Sequence, residues 1–212
     1  MSDINLQWLA DNFSDNIVIY DIGCADLTDD SQTFKTSFPQ AEVYAFECSH
    51  YWKDHNTLHA SNMGIHYHHI AIADHCNGVT FYPSDKMHGR DWPWSGSVYA
   101  PDINLVNGGL TFGEAYTVPS TTLNEFCKEH PAPNFIHIDA QGAEYSIFKD
   151  MEVYPEAIWA EISAFHLYDT SITYEQFNDM MLSKGYIQKY IDNNDALYVH
   201  SDTNFTDYYR SK

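Results

Sequence analysis

Positive charge is what this sequence has least of. Ten Lys and Arg stand against thirty Asp and Glu, a formal charge of −20 with the histidines neutral, and such a field repels phosphate backbones and anionic lipid headgroups. Nucleic acid and acidic membranes are therefore not expected as partners. Cysteine is sparse as well. Cys24, Cys48, Cys76 and Cys127 show no C-x-x-C spacing, so neither a zinc site nor a disulfide framework is expected. Cys24 and Cys48 each follow the end of a proposed strand, where they read as spatial neighbours or as small buried side chains. The opening M-S-D-I-N-L-Q-W-L-A has neither a basic region nor a long apolar run. No secretory leader or membrane span is expected from it, and the cytoplasm is the expected compartment.

What is there is a globular composition, 44% hydrophobic and 19% charged over 212 residues, enough for one α/β domain with a sizeable core. Two stretches organise it: N-I-V-I-Y-D-I-G-C-A-D at 16–26 and N-F-I-H-I-D-A-Q-G-A-E at 134–144. Each is a short β-branched apolar run that stops at an Asp and passes through Gly toward a helix, as buried parallel strands do. Further strands are predicted over 41–46, 116–120, 157–162, 186–191 and 196–200, the last two flanking D-N-N-D as a terminal hairpin. Helices are predicted over 3–13, 30–37, 50–61, 121–129, 143–151 and 173–184. The run 66–82 predicts a strand, a turn at Asn77-Gly78 and a hairpin partner. This alternation predicts a Rossmann-like α/β fold, doubly wound on a mostly parallel sheet with a C-terminal antiparallel hairpin.

Two regions resist that pattern. His66, His68, His69 and His75 invite a metal reading, but no thiolate or carboxylate completes a ligand set nearby, and a solvent-facing edge strand accounts for the spacing. The stretch 84–115, with five glycines, two prolines and W-P-W at 92–94, shows no sustained period. A stretch of that length is either an insertion packing its own aromatics or a lid over a substrate.

Ligands of such sheets sit beyond the carboxyl ends of the strands. There Gly23 lets backbone come close to a ligand ahead of a helix N-terminus, and Glu47 follows 24 positions later, near the spacing at which a carboxylate takes ribose hydroxyls. The G-x-G-x-x-G fingerprint is incomplete, which disfavours a pyrophosphate. Asp21, Asp26, Glu47, Asp74 and Asp139 concentrate acid at this edge and suit a cationic adenosyl ligand better.

The turn D-I-G-C-A-D, then A-F-E-C, I-A-I-A-D-H-C-N-G-V-T-F-Y, S-T-T-L-N-E-F, I-H-I-D-A-Q-G-A-E-Y-S-I-F and W-A-E-I, in that order from about Ile17 to His200, resemble the FkbM family of S-adenosylmethionine-dependent methyltransferases. The resemblance implies a seven-stranded class I fold, one domain over 1–212, and methyl transfer to a hydroxyl of a small molecule such as a sugar or polyketide-like metabolite. It implies that Asp21, Gly23, Cys24 and Ala25 line the methionine portion of the cofactor, that Glu47 holds the ribose, and that Ala73 and Asp74 lie beside adenine. Two positions depart from the family pattern: the turn lacks a second Gly near Asp26 or Leu27, and His137 and Gln141 stand where Lys and Glu are frequent.

A hydroxyl acceptor gains from a base. Asp139, Glu161 and His166 follow the ends of two strands and are expected to meet over the cofactor. His166 is the candidate base on its near-neutral intrinsic pKa, a plain loop histidine being the other reading. A divalent cation held by the same three residues is an alternative device for lowering the acceptor pKa. Two other functions are weighed: a nicotinamide oxidoreductase, disfavoured by the glycines, and a Rossmann-like binding or scaffold module without turnover. Nothing in the sequence sets an oligomeric state.

Overall fold

The apolar runs do become the middle of one sheet. In the computed structural model, which describes residues 4–170 and 172–209 but not the side chains of residues 165 and 166, seven strands stand side by side. They are β1 (Val18–Ile22), β2 (Glu42–Phe46), β3 (His66–His68), β4 (Phe135–Ile138), β5 (Ala157–Glu161), β6 (Tyr186–Ile191) and β7 (Asp195–His200), in the order β3-β2-β1-β4-β5-β7-β6. The first five run parallel, and β7 lies antiparallel between β5 and β6. This is the doubly wound, mostly parallel sheet that the sequence predicts.

Strand alternation divides the core in two. Tyr20, Ile22, Tyr44, Phe46, Ile136, Ile138, Ile158 and Ala160 face one side, where α4 (Leu123–Phe126), α5 (Glu144–Phe148) and α6 (Tyr174–Ser183) supply Leu123, Phe126, Ile147, Phe148, Phe177 and Met181. Ile19, Val43, Ala45, Phe135, Trp159 and Leu197 face the other, against Trp8 and Leu9 of α1 (Leu6–Asn12), Phe34 of α2 (Asp30–Ser37) and Ala60 of α3 (Lys53–Met63). The helices begin where the caps stand: Asn5 accepts from the amides of Gln7 and Trp8, and Thr173 and Gln176 form a capping box at α6.

One expectation is corrected. The hairpin over 66–82 does not form. Ala71–Ile72 pairs parallel with Ser120–Thr121, and Val79–Phe81 pairs antiparallel with Tyr116–Val118. The Ser120 hydroxyl explains the choice, because it accepts from the Gly78 amide at 3.0 Å and donates to the His75 carbonyl at 2.7 Å, tying the turn to the later segment. The stretch 84–115 has secondary structure of its own. It holds a three-stranded sheet of Arg90–Asp91, Ser84–Met87 and Leu110–Phe112, with a short helix at Ile103–Asn107. Its strands are two to four residues long and largely exposed, so they carry no readable alternation. Among the described residues no helix is long and apolar enough to cross a membrane.

Candidate active site

The carboxyl ends of β1, β2 and β4 open into one cleft, partly open to solvent. Gly23 and Ala25 line it from the turn after β1, Glu47, Cys48 and Ser49 from the end of β2, and Asp139, Ala140 and Gln141 from the end of β4. Ile22, Phe46, Ile72 and Phe81 make its apolar floor, while Pro93, Trp94, Gly96 and Ser97 bring the 84–115 segment onto its rim. Neither Lys, Arg nor His is among these lining residues.

Gly23 is set by backbone crowding. At φ +81° it occupies the left-handed region, and a Cβ built there would stand 2.0 Å from the Asp139 carbonyl oxygen. The two strand-end turns thus touch through a position that only Gly can fill. Ala25 also stands at positive φ, 43°, and its amide donates to Glu47 Oε2 at 3.0 Å. The other Glu47 oxygen accepts from the Ser49 amide at 2.6 Å. Burial raises the Glu47 pKa, and these backbone bonds oppose the shift. Glu47 therefore locks the β1 turn to the β2 end while keeping lone pairs toward the cleft.

Asp21 and Cys24 face elsewhere, which corrects their expected place on the cleft. Asp21 lies one residue before Ile22 on its strand, so its side chain emerges on the opposite face. It is fully buried there, accepting from Ser31 Oγ and bonded to His137 Nδ1 at 2.8 Å across the β1–β4 register. Cys24 is buried among Ile19, Leu27 and Phe34, and burial, with Asp21 and Glu47 adding, pushes its thiol well up. Ala73 and Asp74 line a smaller neighbouring pocket with Thr122, Asn124 and Asp150. Asp74 is paired there with His75 and Lys149.

Asp139 and Glu161 do come together. Gln141 Nε2 donates to Asp139 Oδ1 at 2.6 Å and to Glu161 Oε2 at 2.8 Å. Burial, then the Asp139 charge, raises the Glu161 pKa. A hydrogen-bond donor stands where a cation bridging these carboxylates would have to sit, so the pair as built does not fit a divalent metal. Among the described residues no group of three His, Cys, Asp or Glu side chains is arranged to hold one. The backbone of His166 closes the 3-10 turn Ser163–His166 after β5; its side chain lies outside the described residues.

Gln141, Glu144, Ser97 and Tyr168 belong to the same network, and sequence reasoning gave none of them a role. Glu144 Oε1 accepts from the Ala140 and Gly142 amides at 2.8 and 3.4 Å. Burial raises its pKa to about 8, the Asp139 charge adding. Gln141 and Glu144 lie inside the motif at 134–144, so a signal existed for those two. Tyr168 and Ser97 arrive from distant segments whose approach no local pattern reveals.

The model of the Methyltransferase FkbM domain matches residues 21–187. Among solved structures, a methyltransferase FkbM from Methylobacillus flagellatus KT superposes with a TM-score of 0.54 at 13% identity, covering 89% of this chain and 44% of its own. A precorrin-6y C5,15-methyltransferase from Geobacter metallireducens GS-15 gives 0.46 at 10% identity, over 92% of this chain and 85% of its own. The chain thus spans less than half the length of the Methylobacillus protein, and that likeness is one of fold. No curated protein matches the sequence. With the family model covering most of its length, from Asp21 at the end of β1 to Ile187 in β6, the chain belongs to the FkbM methyltransferase family.

Proposed function

We propose that this chain is an S-adenosylmethionine-dependent O-methyltransferase acting on a hydroxyl of a small molecule without phosphate groups, of sugar or polyketide-like kind. The observation that carries the reading is convergence: Gly23 and Ala25, Glu47 and Asp139 come from three strand ends and line one cleft. The absence of Lys and Arg from that lining disfavours a pyrophosphate-bearing nicotinamide cofactor, and the carboxylates favour a cationic sulfonium.

When bound, the cofactor supplies a methyl group on a positively charged sulfur. The protein's part is to bind, orient and deprotonate. Glu47 would take ribose hydroxyls, and Ile70, Ala71 and Ile72, which line the cleft where Ala73 and Asp74 do not, would hold the adenine. Asp139 is the base for the acceptor proton, because it lines the cleft from the end of β4 and carries the carboxylate that Gln141 holds. His166 is the sequence's own candidate for that part, carried on the turn that follows β5. Trp94, 44% exposed and 5.5 Å from Trp52, offers a flat face to a ring-bearing acceptor at the rim. Holding that acceptor in line supplies much of the rate.

Calorimetry with S-adenosylhomocysteine and with NAD tests the reading. Micromolar binding of the first and none of the second is expected; silence toward both returns the chain to a scaffold role. A screen of hydroxylated acceptors with labelled methyl donor then identifies the substrate.

A further inference from the structure

Gln141 is held at the cleft wall from both ends of its side chain and through its backbone. Its Nε2 donates to Asp139 and Glu161. Its Oε1 accepts from the Tyr168 hydroxyl at 3.0 Å, and its main-chain oxygen accepts from Ser97 Oγ at 2.8 Å. The residue stands at φ +50°, sparsely populated by side chains. Such a conformation persists where the surroundings over-determine it, and here Glu144 pins the amides on both sides.

The two acids set the amide's orientation: turned over, it would present a carbonyl oxygen to two carboxyl groups. Tyr168 has one proton for two acceptors, the Ser95 carbonyl at 2.7 Å and Gln141 Oε1 at 3.0 Å, and its oxygen can accept as well as donate. The Asp139 and Glu161 carboxyl groups also hydrogen-bond each other, which takes a shared proton, and the amide is the further donor that fixes the pair. The Ser163 hydroxyl takes one oxygen of Glu161 at 2.7 Å. The remaining charged neighbours are Glu47 across the β1 turn, Glu144 beneath the β4 turn, Asp195 opposite Glu161 in the sheet, and the buried His137.

We propose that Gln141 is a positioning residue of the methyl-transfer site: its single NH2 group holds Asp139 at the cleft wall with Glu161 behind it, so that the pair meets a cationic methyl donor as one fixed unit. The inference rests on the methyltransferase reading above. Its consequence is a preference for positive charge at the methyl position that depends on a neutral amide.

Two probes read that preference. S-adenosylhomocysteine is neutral where the methyl is lost, and sinefungin carries an amine there. A fixed carboxylate facing the amine favours sinefungin about tenfold, the scale of one charge-assisted hydrogen bond. In Gln141→Ala the ratio of the two dissociation constants is expected to fall to within about threefold of unity, since loss of positioning costs most of that bond. General damage to the pocket would weaken both probes and leave the ratio alone. Gln141→Leu, which keeps the bulk of the side chain and removes the donor, gives a second route and should lower the ratio in the same direction. A wild-type ratio near unity, or an unchanged ratio in whichever variant still binds, overturns the proposal. If neither probe binds the wild-type chain, the methyltransferase reading itself fails, a result distinct from a lost preference.

Discussion

Burial drives the His137 imidazole toward its neutral form, yet Asp21 at 2.8 Å overrides it. The hydrogen bond and charge of Asp21, with Asp30 and Asp139 adding, lift the folded-state pKa to about 9. A raised pKa means that the proton stabilises the fold. The contribution is complete below the unfolded value of about 6.5 and is lost as pH rises through 9. A rise from 6.5 to about 9 corresponds to at most on the order of 3 kcal/mol. Glu144, raised to about 8, weakens the fold over an overlapping but lower range, from about 4.5 to 8. A raw stability curve therefore mixes the two. The stability difference between wild type and His137→Gln isolates one: measured by urea unfolding, it should be largest near pH 6 and mostly gone by pH 10. A difference that does not change with pH would mean that His137 is neutral in the fold. The sequence shows Asp21 and His137 as strand residues but does not say which face each takes. Parity places them together away from the cleft, and for that reason Asp21 reads from sequence as a ligand and is in the structure a clamp between strands.

At the scale of elements, the parallel strands were legible because burial on both faces leaves β-branched runs such as I-V-I-Y and F-I-H-I. Gly23, Glu47 and Asp139 were legible as neighbours for the same reason: register puts the ends of adjacent strands together. The small sheet of 84–112 and the pairing of Val79–Phe81 were not, since short exposed strands depend on contacts distant in sequence. The contact between α1 and the residues after β7 was missed likewise. Residues after β7 return across α1: Trp8 Nε1 donates to the Thr206 carbonyl at 3.1 Å, the Asn5 amide to the Tyr208 hydroxyl at 3.1 Å, and Phe205 packs on Phe13 at 4.7 Å and on Trp8 at 5.8 Å. Trp8 is completely buried, so the clasp closes one flank of the core. Phe205→Ala should cost about 1–3 kcal/mol, less than a fully enclosed Phe because Phe205 is only partly buried. Asn204→Ala next to it, exposed, should fall within about 0.5 kcal/mol of wild type in the same thermal melt. Equal melting temperatures for the two variants would show that the clasp adds nothing.

For the whole molecule the governing quantity is the charge of −20. Salt acts on it in two opposed ways. Screening weakens attractive surface pairs, here Lys128 with Glu125, Lys149 with Asp74 and Lys189 with Asp207, but an exposed pair contributes only about 0–1 kcal/mol. Screening also relieves repulsion among thirty acidic side chains, and with ten Lys and Arg most of those acids have no cation to answer them. The repulsive part outweighs the three pairs, so the melting temperature at pH 7.5 should rise as NaCl is raised from about 20 to about 300 mM, a range over which the Debye length falls from roughly 20 to 6 Å. The gain should shrink toward the isoelectric point, about 4.6, where net repulsion vanishes. The same field acts on the cleft, where Glu47 and Asp139 have no cation beside them on the wall. Binding of cationic sinefungin should therefore weaken with salt more than that of S-adenosylhomocysteine. Measuring both affinities across the same salt series decides the point, because a parallel decline would mean that the acidity is a property of the outer surface and does not reach the cleft.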